Sequence, residues 1–303
     1  MRELCFQVLL LWTLGTVAGQ PPAWGSAAAG NLGSAPDRAA KGTAKEAVGF
    51  ELYHDYMIVL RGAAGPAKGL NFLLDTGATP SVLTPRLAAK LHLEVVGEDI
   101  AVLNETVRGG RATVPELQVG PVRKQNLPVL IEDLGFLQKQ FPLQIDGIVG
   151  LDVLGTDAFV IDYATREIRF GDLPAMRDSI PLEMKGGLAF VEATVDHAPV
   201  HLLFDTGAPS LILFEQTAVP VAGSKISGPL PPPKPIGEFD RKHVQTIRVR
   251  LGDTEFGRES AFVVHNPGDA GHGFDGLMSP AALGITRVAV DVARGTLAFA
   301  REP

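Results

Sequence analysis

Residues 72–83 read Phe-Leu-Leu-Asp-Thr-Gly-Ala-Thr-Pro-Ser-Val-Leu: an apolar run ends on Asp75-Thr76-Gly77, and a second apolar run follows at once. The same arrangement returns at residues 202–213, Leu-Leu-Phe-Asp-Thr-Gly-Ala-Pro-Ser-Leu-Ile-Leu, centred on Asp205-Thr206-Gly207. The offset between the two acids is 205 − 75 = 130. A short apolar strand that delivers an acid to a glycine turn is common once. Found twice, with Asp-Thr-Gly-Ala and both flanks kept, it points to a duplicated functional element.

A duplicated lobe should echo elsewhere at about the same offset, and it does. Asp146-Gly147-Ile148-Val149-Gly150 is answered by Asp275-Gly276-Leu277-Met278-Ser279, at 276 − 147 = 129. Leu154-Gly155 is answered by Leu283-Gly284, and Phe159–Asp162 by Val288–Asp291, again at 129. Each half then closes on a turn and a further strand, Glu167–Phe170 and Thr296–Phe299. The period is far too long for a solenoid, so the pattern describes two homologous lobes.

Between these landmarks the chain reads as short β-branched runs punctuated by Gly and Pro, the mark of strands and tight turns. Phe50–Leu60 and Leu70–Leu74 are expected as strands around a turn at Arg61–Gly69. A hairpin is expected around Gly109-Gly110, with strands near Ala112–Val119 and Leu127–Ile131. Thr84-Pro85 should open a short helix over Arg86–Leu91, Thr as the cap and Pro at the first helical position. A second short helix is expected in Asp133–Gln140. In the second half, Leu188–Val195 and Val200–Phe204 precede the acid turn, a reduced helix is expected at Phe214–Ala218, and the Pro-rich Gly228–Gly237 reads as an exposed arm, since Pro donates nothing to a ladder.

The paired Asp-Thr-Gly-Ala turns, each with a hydrophobic-hydrophobic-Gly element about 70 residues on, resemble a pepsin- or retropepsin-type aspartic protease carrying both halves on one chain. The resemblance runs from about Phe50 to Ala300. It implies an all-β fold with minor helices: two pseudo-twofold-related lobes, 48–178 and 179–303, with a cleft between them. It also implies that Asp75 and Asp205 form a dyad that activates water for peptide-bond hydrolysis. Like charges at close range cannot both ionise readily, so such a pair shares one proton, as is known of aspartic proteases. Thr76 and Thr206 would bond across the lobe interface and hold the acids in place. Gly77 and Gly207 would keep side chains away from the carboxylates. Ala78 and Ala208 stand where many members have Ser or Thr, as in the retroviral form. Ile148-Val149-Gly150 would pack beneath the first turn, whereas Leu277-Met278-Ser279 departs at its last residue. Gly109-Gly110 is the candidate flap over the cleft, although no tyrosine of the pepsin-like kind stands there.

The ends suggest export. Residues 1–19 carry an apolar centre, Val8–Val17, too short to span a bilayer comfortably, followed by the small residues Ala18 and Gly19. They read as a signal peptide, which places the mature chain outside the cytoplasm, periplasmic or extracellular, with no stable membrane span. The one cysteine, Cys5, lies in that leader. Residues 20–47, rich in Ala, Gly and Pro, read as a flexible linker; they are too short and too poor in basic residues to clamp a pair of acids as a propeptide would.

Composition excludes more than it identifies. A net charge of −7 without a basic stripe argues against nucleic acid as a partner. The histidines show no zinc-ligand spacing, Ser81 and Ser210 sit in no Gly-x-Ser-x-Gly elbow, and Gly109-Gly110 lacks the Lys-Ser/Thr ending of a phosphate loop. No metal or organic cofactor is expected. The partner is expected to be a peptide or protein substrate, and the chain to act as a monomer. Taken singly, each Asp-Thr-Gly acid could be a turn-capping residue, and Asp146, Asp275, Asp162 and Asp291 are read that way. The alternative to an enzyme is a non-catalytic peptide-binding module on the same fold, since fold alone does not establish activity.

Overall fold

In a computed structural model of the chain the described residues are 47–102, 105–155, 158–171, 173–214, 241–264 and 273–301. The expected leader, nearly all of the linker and the Pro-rich arm lie outside them. So does the helix expected at 214–218, apart from Phe214, which ends the strand Leu211–Phe214.

The chain is all-β with minor helices, in two lobes. Among the described residues the strands form a thirteen-stranded and a seven-stranded sheet. The acid-bearing strand Ala67–Leu74 runs parallel to Gly147–Val149, pairing Phe72 with Gly147 and Leu74 with Val149. Val82–Leu83 pairs antiparallel with the same short strand from its other side. Lobe two repeats this arrangement: Leu202 pairs with Gly276, Phe204 with Met278, and Ile212 with Leu277. The two registers superimpose on the sequence offset of 129 to 130, so the duplication is legible in the hydrogen bonds as well as in the letters.

Local chemistry accounts for most boundaries. The helix Pro85–Lys90 starts where expected, with Thr84 Oγ1 accepting from the Leu87 amide. Phe50–Leu60 is not one strand but two, Ala47–Tyr53 and Met57–Ala64. His54 and Asp55 take left-handed backbone (φ 52° and 65°) in the turn between them; the aspartate belongs to the short polar type that tolerates this conformation. Gly109 and Gly110 are not a turn. They lie within the strand Glu105–Val119, paired with Glu98 and Gly97 of Val96–Val102 in an antiparallel ladder that runs on to Val102 and Glu105. Glycine is needed at 110 for close approach: a Cβ there would come 2.5 Å from Val95 Cγ1 and 3.0 Å from the Val96 carbonyl oxygen.

The lobes are joined through one shared sheet, in which Phe159–Asp162 pairs antiparallel with Arg287–Asp291. Val160 faces Ala289, its own counterpart, since 289 − 160 = 129; the pseudo-twofold axis therefore passes through that pair. Beneath it one apolar cluster runs through both lobes, with Phe72, Phe159, Phe204 and Phe299 essentially excluded from water. Two smaller clusters flank it. One contains Leu73, Ala78 and Ile148, the other Leu203, Ala208 and Leu277. Leu73 and Leu203 each stand two residues before an acid, so these clusters occupy the acid-bearing faces.

An ion pair crosses the seam between the lobes in this sheet. Arg287 donates to Asp162 Oδ2 at 2.7 Å, and the Thr165 amide donates to Oδ1 at 3.0 Å. Burial alone would push the Asp162 carboxyl up, but the Thr165 amide and the Arg287 guanidinium together hold it below the usual carboxylate range. Breaking a fully buried pair costs about 3–5 kcal/mol. Because the Arg287 side chain is 38% exposed, we expect Arg287→Ala to destabilise the chain by about 2 kcal/mol in denaturant unfolding. In the Asp162→Asn background the same change should cost clearly less, a coupling that a double-mutant cycle measures directly.

Candidate active site

Asp75 and Asp205 end their strands in the same way. The Asp75 amide donates to the Val149 carbonyl and the Asp205 amide to the Met278 carbonyl, both at 3.0 Å. The departure at Ser279 therefore leaves this bond intact. The Ser279 hydroxyl instead accepts from the Ala282 amide at 3.4 Å, at the head of the short turn Ala281–Leu283.

Between the two acids the threonines exchange bonds across the lobes. Thr76 Oγ1 donates to the Phe204 carbonyl (2.8 Å) and accepts from the Thr206 amide (3.0 Å). Thr206 Oγ1 donates to the Leu74 carbonyl (3.3 Å) and accepts from the Thr76 amide (3.1 Å). Each hydroxyl thus satisfies one carbonyl and one amide of the opposite lobe, in a place where Thr76 and Thr206 are almost wholly excluded from water. Buried backbone groups left unpaired there would each cost about 1–3 kcal/mol, so the four bonds act as one lock.

The glycines are explained by the opposite acid rather than by their own. A Cβ on Gly77 would come 2.9 Å from Asp205 Cγ, and one on Gly207 would come 2.6 Å from Asp75 Cγ. No side chain fits. The amides serve the near acid: Gly77 donates to Asp75 Oδ1 (2.8 Å), Gly207 to Asp205 Oδ1 (2.7 Å) and Ala208 also to Asp205 Oδ1 (3.1 Å). Both Oδ2 atoms are buried with no hydrogen-bond partner among the described residues. A single proton held between the carboxyls would supply what both lack.

Electrostatics couples the two acids. Burial, and then the charge of Asp205, hold the Asp75 carboxyl well above the usual carboxylate range, against the amides of Gly77 and Ala78. Burial also raises Asp205, against its link to the Asp75 carboxyl and the amides of Gly207 and Ala208. The pair takes up and releases its protons as a unit.

The other repeated acids do structural work. Asp146 Oδ2 accepts from the Asn71 amide and Asp275 Oδ2 from the His201 amide, each tying the short central strand to the acid strand. Asp162 and Asp291 cap turns through the amides of Thr165 and Arg294. Gly109 and Gly110 sit in the strand described above, paired with Glu98 and Gly97. Among the described residues no group of His, Cys, Asp or Glu gathers as a metal site, and no helix is long and apolar enough to cross a membrane.

Sequence reasoning missed three buried polar side chains. Ser81 Oγ donates to Asp152 Oδ1 (2.6 Å) and accepts from the Gly150 amide (3.0 Å), which braces the first acid turn from beneath. Tyr56 is buried against the Ala78 cluster, and its hydroxyl pKa is raised by burial and then by the charges of Asp205 and Asp75. Glu132 is a buried acid at the end of the strand Val122–Ile131. The strand registers set Gly187 and Val264 in the places of the last two, at offsets of 187 − 56 = 131 and 264 − 132 = 132, so the repeat of 129 to 130 in the letters does not reveal them.

Residues 60–153 match a family model described as aspartyl protease, a stretch that includes Asp75-Thr76-Gly77 and Ile148-Val149-Gly150. The match supports an aspartic protease-type family for the chain. Among solved structures, basic 7S globulin from soybean aligns over 84% of this chain and 94% of its own, at 12% identity and a TM-score of 0.49. A search of curated proteins found no match.

Acids whose pKa is raised on folding bind protons more tightly in the folded chain. Their contribution to stability therefore grows as pH falls through the folded pKa and is complete below the unfolded value near ~4. Asp75→Asn keeps the shape and removes one of the facing charges. It should be more stable than the parent at about pH 7, with the gap closing toward about pH 4. Thermal unfolding of the two proteins across that range checks this, and parallel curves would contradict a repelling pair.

Proposed function

We propose that this chain, whose first lobe matches the aspartyl protease family, is an exported aspartic endopeptidase. The observation that carries the reading is the pair of buried acids, each held by its own glycine amide and pressed against the other lobe's glycine, with one free oxygen apiece.

The chemistry follows from a pair that shares one proton. An extended peptide lies across the cleft between the lobes. The ionised acid of the pair takes a proton from a water whose oxygen bonds to the scissile carbonyl carbon, while the proton on the other acid passes to the carbonyl oxygen. The result is a neutral tetrahedral diol. The first acid then gives its proton to the amide nitrogen as the C–N bond breaks, and the second recovers one from a diol hydroxyl. Both acids end as they began, with no metal or cofactor drawn on. Burial serves this cycle by keeping the shared proton close to the balance point, which general acid–base catalysis requires. The reading also includes removal of residues 1–19 as a signal peptide and action of the mature chain as a monomer on peptide or protein substrates.

The test is symmetric loss. Asp75→Asn and Asp205→Asn should each lower kcat/KM on a peptide found from a mixed library by about a thousandfold or more, and the double variant should lose little beyond either. Substantial activity in either single variant would overturn the assignment. N-terminal sequencing of the exported protein should begin near Gly19 or Gln20.

A further inference from the structure

The lobes agree closely around the acids, so the places where they differ are informative. Leu130 pairs with Val82 and Ile131 with Leu83, as Phe262 pairs with Ile212 and Val263 with Leu213. One position further on, lobe two has Val264, buried among Leu188, Phe190, Ala208 and Leu277. Lobe one has Glu132 there, only 7% exposed.

The backbone fixes which way this carboxyl lies. The Leu130 amide donates to the Ser81 carbonyl and the Glu132 amide to the Leu83 carbonyl, so the ladder continues through residue 132. Alternation then puts Glu132 on the face of Leu130. Leu130 belongs to the cluster with Leu73, Ala78 and Tyr56, on the face that carries Asp75. Glu132 Oε2 is buried and has no hydrogen-bond partner among the described residues. Burial, and then the charge of Asp133, push the carboxyl up to about 7. A buried carboxyl oxygen without a partner is destabilising, and valine serves the same position in the other lobe. The fold therefore gives no reason for a carboxyl here, whereas a ligand that brings a positive charge to the acid-bearing face would.

We propose that Glu132 is a specificity residue that receives the cationic side chain of a bound peptide, selecting substrates with Lys or Arg at one position near the scissile bond. This rests on the peptide-cleaving reading of the same site. A cation reaching Glu132 ionises it and forms a charge-assisted hydrogen bond, the strong kind in a low-dielectric setting. No twofold-related counterpart exists, so the preference falls on one side of the scissile bond only.

The experiment uses peptides that differ only by Lys against norleucine, placed in turn at each position flanking the cleaved bond. Wild type should favour Lys at one position by about tenfold or more in kcat/KM, the scale of one charge-assisted bond. Glu132→Gln and Glu132→Val should each abolish that preference while cleaving the norleucine peptide within about twofold of wild type; the Val variant reproduces the residue lobe two already tolerates. A Lys preference unchanged in both variants, or absent in wild type at every position, overturns the proposal. If no peptide is cleaved at all, the enzyme reading has failed. The same peptide pair is then compared by Kd on wild type and Glu132→Gln: a Lys preference lost in the variant upholds the cation site, and equal binding refutes it.

Discussion

Two carboxylic acids are held face to face out of water, and almost every unusual feature of the chain serves that contact. Left alone, such a pair would separate or draw in solvent, because burying like charges is costly. It is kept together by exchange between the lobes. Each threonine spends its hydroxyl on the other lobe's backbone, and each glycine leaves room for the other lobe's acid. Neither lobe can complete the site from its own residues. The duplication is thus a chemical requirement of the pair as well as a trace of its origin.

The supports beneath the acids are less symmetric than the acids themselves. Lobe one braces its turn with Ser81 and Asp152 against the Gly150 amide. Lobe two uses Ser279 to cap a short turn instead. Both solutions keep the same bond from acid amide to neighbouring strand carbonyl. Selection on backbone geometry tolerates different side-chain means, provided that the final position of the carboxyl is kept.

What the sequence disclosed was whatever the duplication repeats. The acids, the threonines, the glycines and the central strands all recur at one offset, and a repeat is visible without any knowledge of contacts. The helix after Thr84 was legible because capping is local. The reading stumbled at Gly109 and Gly110, where glycine was taken as a turn signal although its use is close packing against Val95 and Val96, a neighbour that only the folded sheet supplies. It stumbled again at His54 and Asp55, where a turn uses no glycine at all. Tyr56 and Glu132 stayed hidden for the opposite reason: they matter through being unrepeated, and a search for sameness passes over them.

The pair Val160 and Ala289 carries a further consequence. Where a strand meets its own copy on a twofold axis, an isolated first lobe would offer an edge that is self-complementary in register, ready to recruit a second first lobe. The chain is in effect a tethered dimer of unlike halves. The ion pair across that seam works against a pairing of two first lobes. Arg287 stands where a copied first lobe would present Ala158, at 287 − 158 = 129, so two identical first lobes would leave both copies of Asp162 without a guanidinium. This single arginine therefore gives the mismatched assembly an advantage over a pair of first lobes.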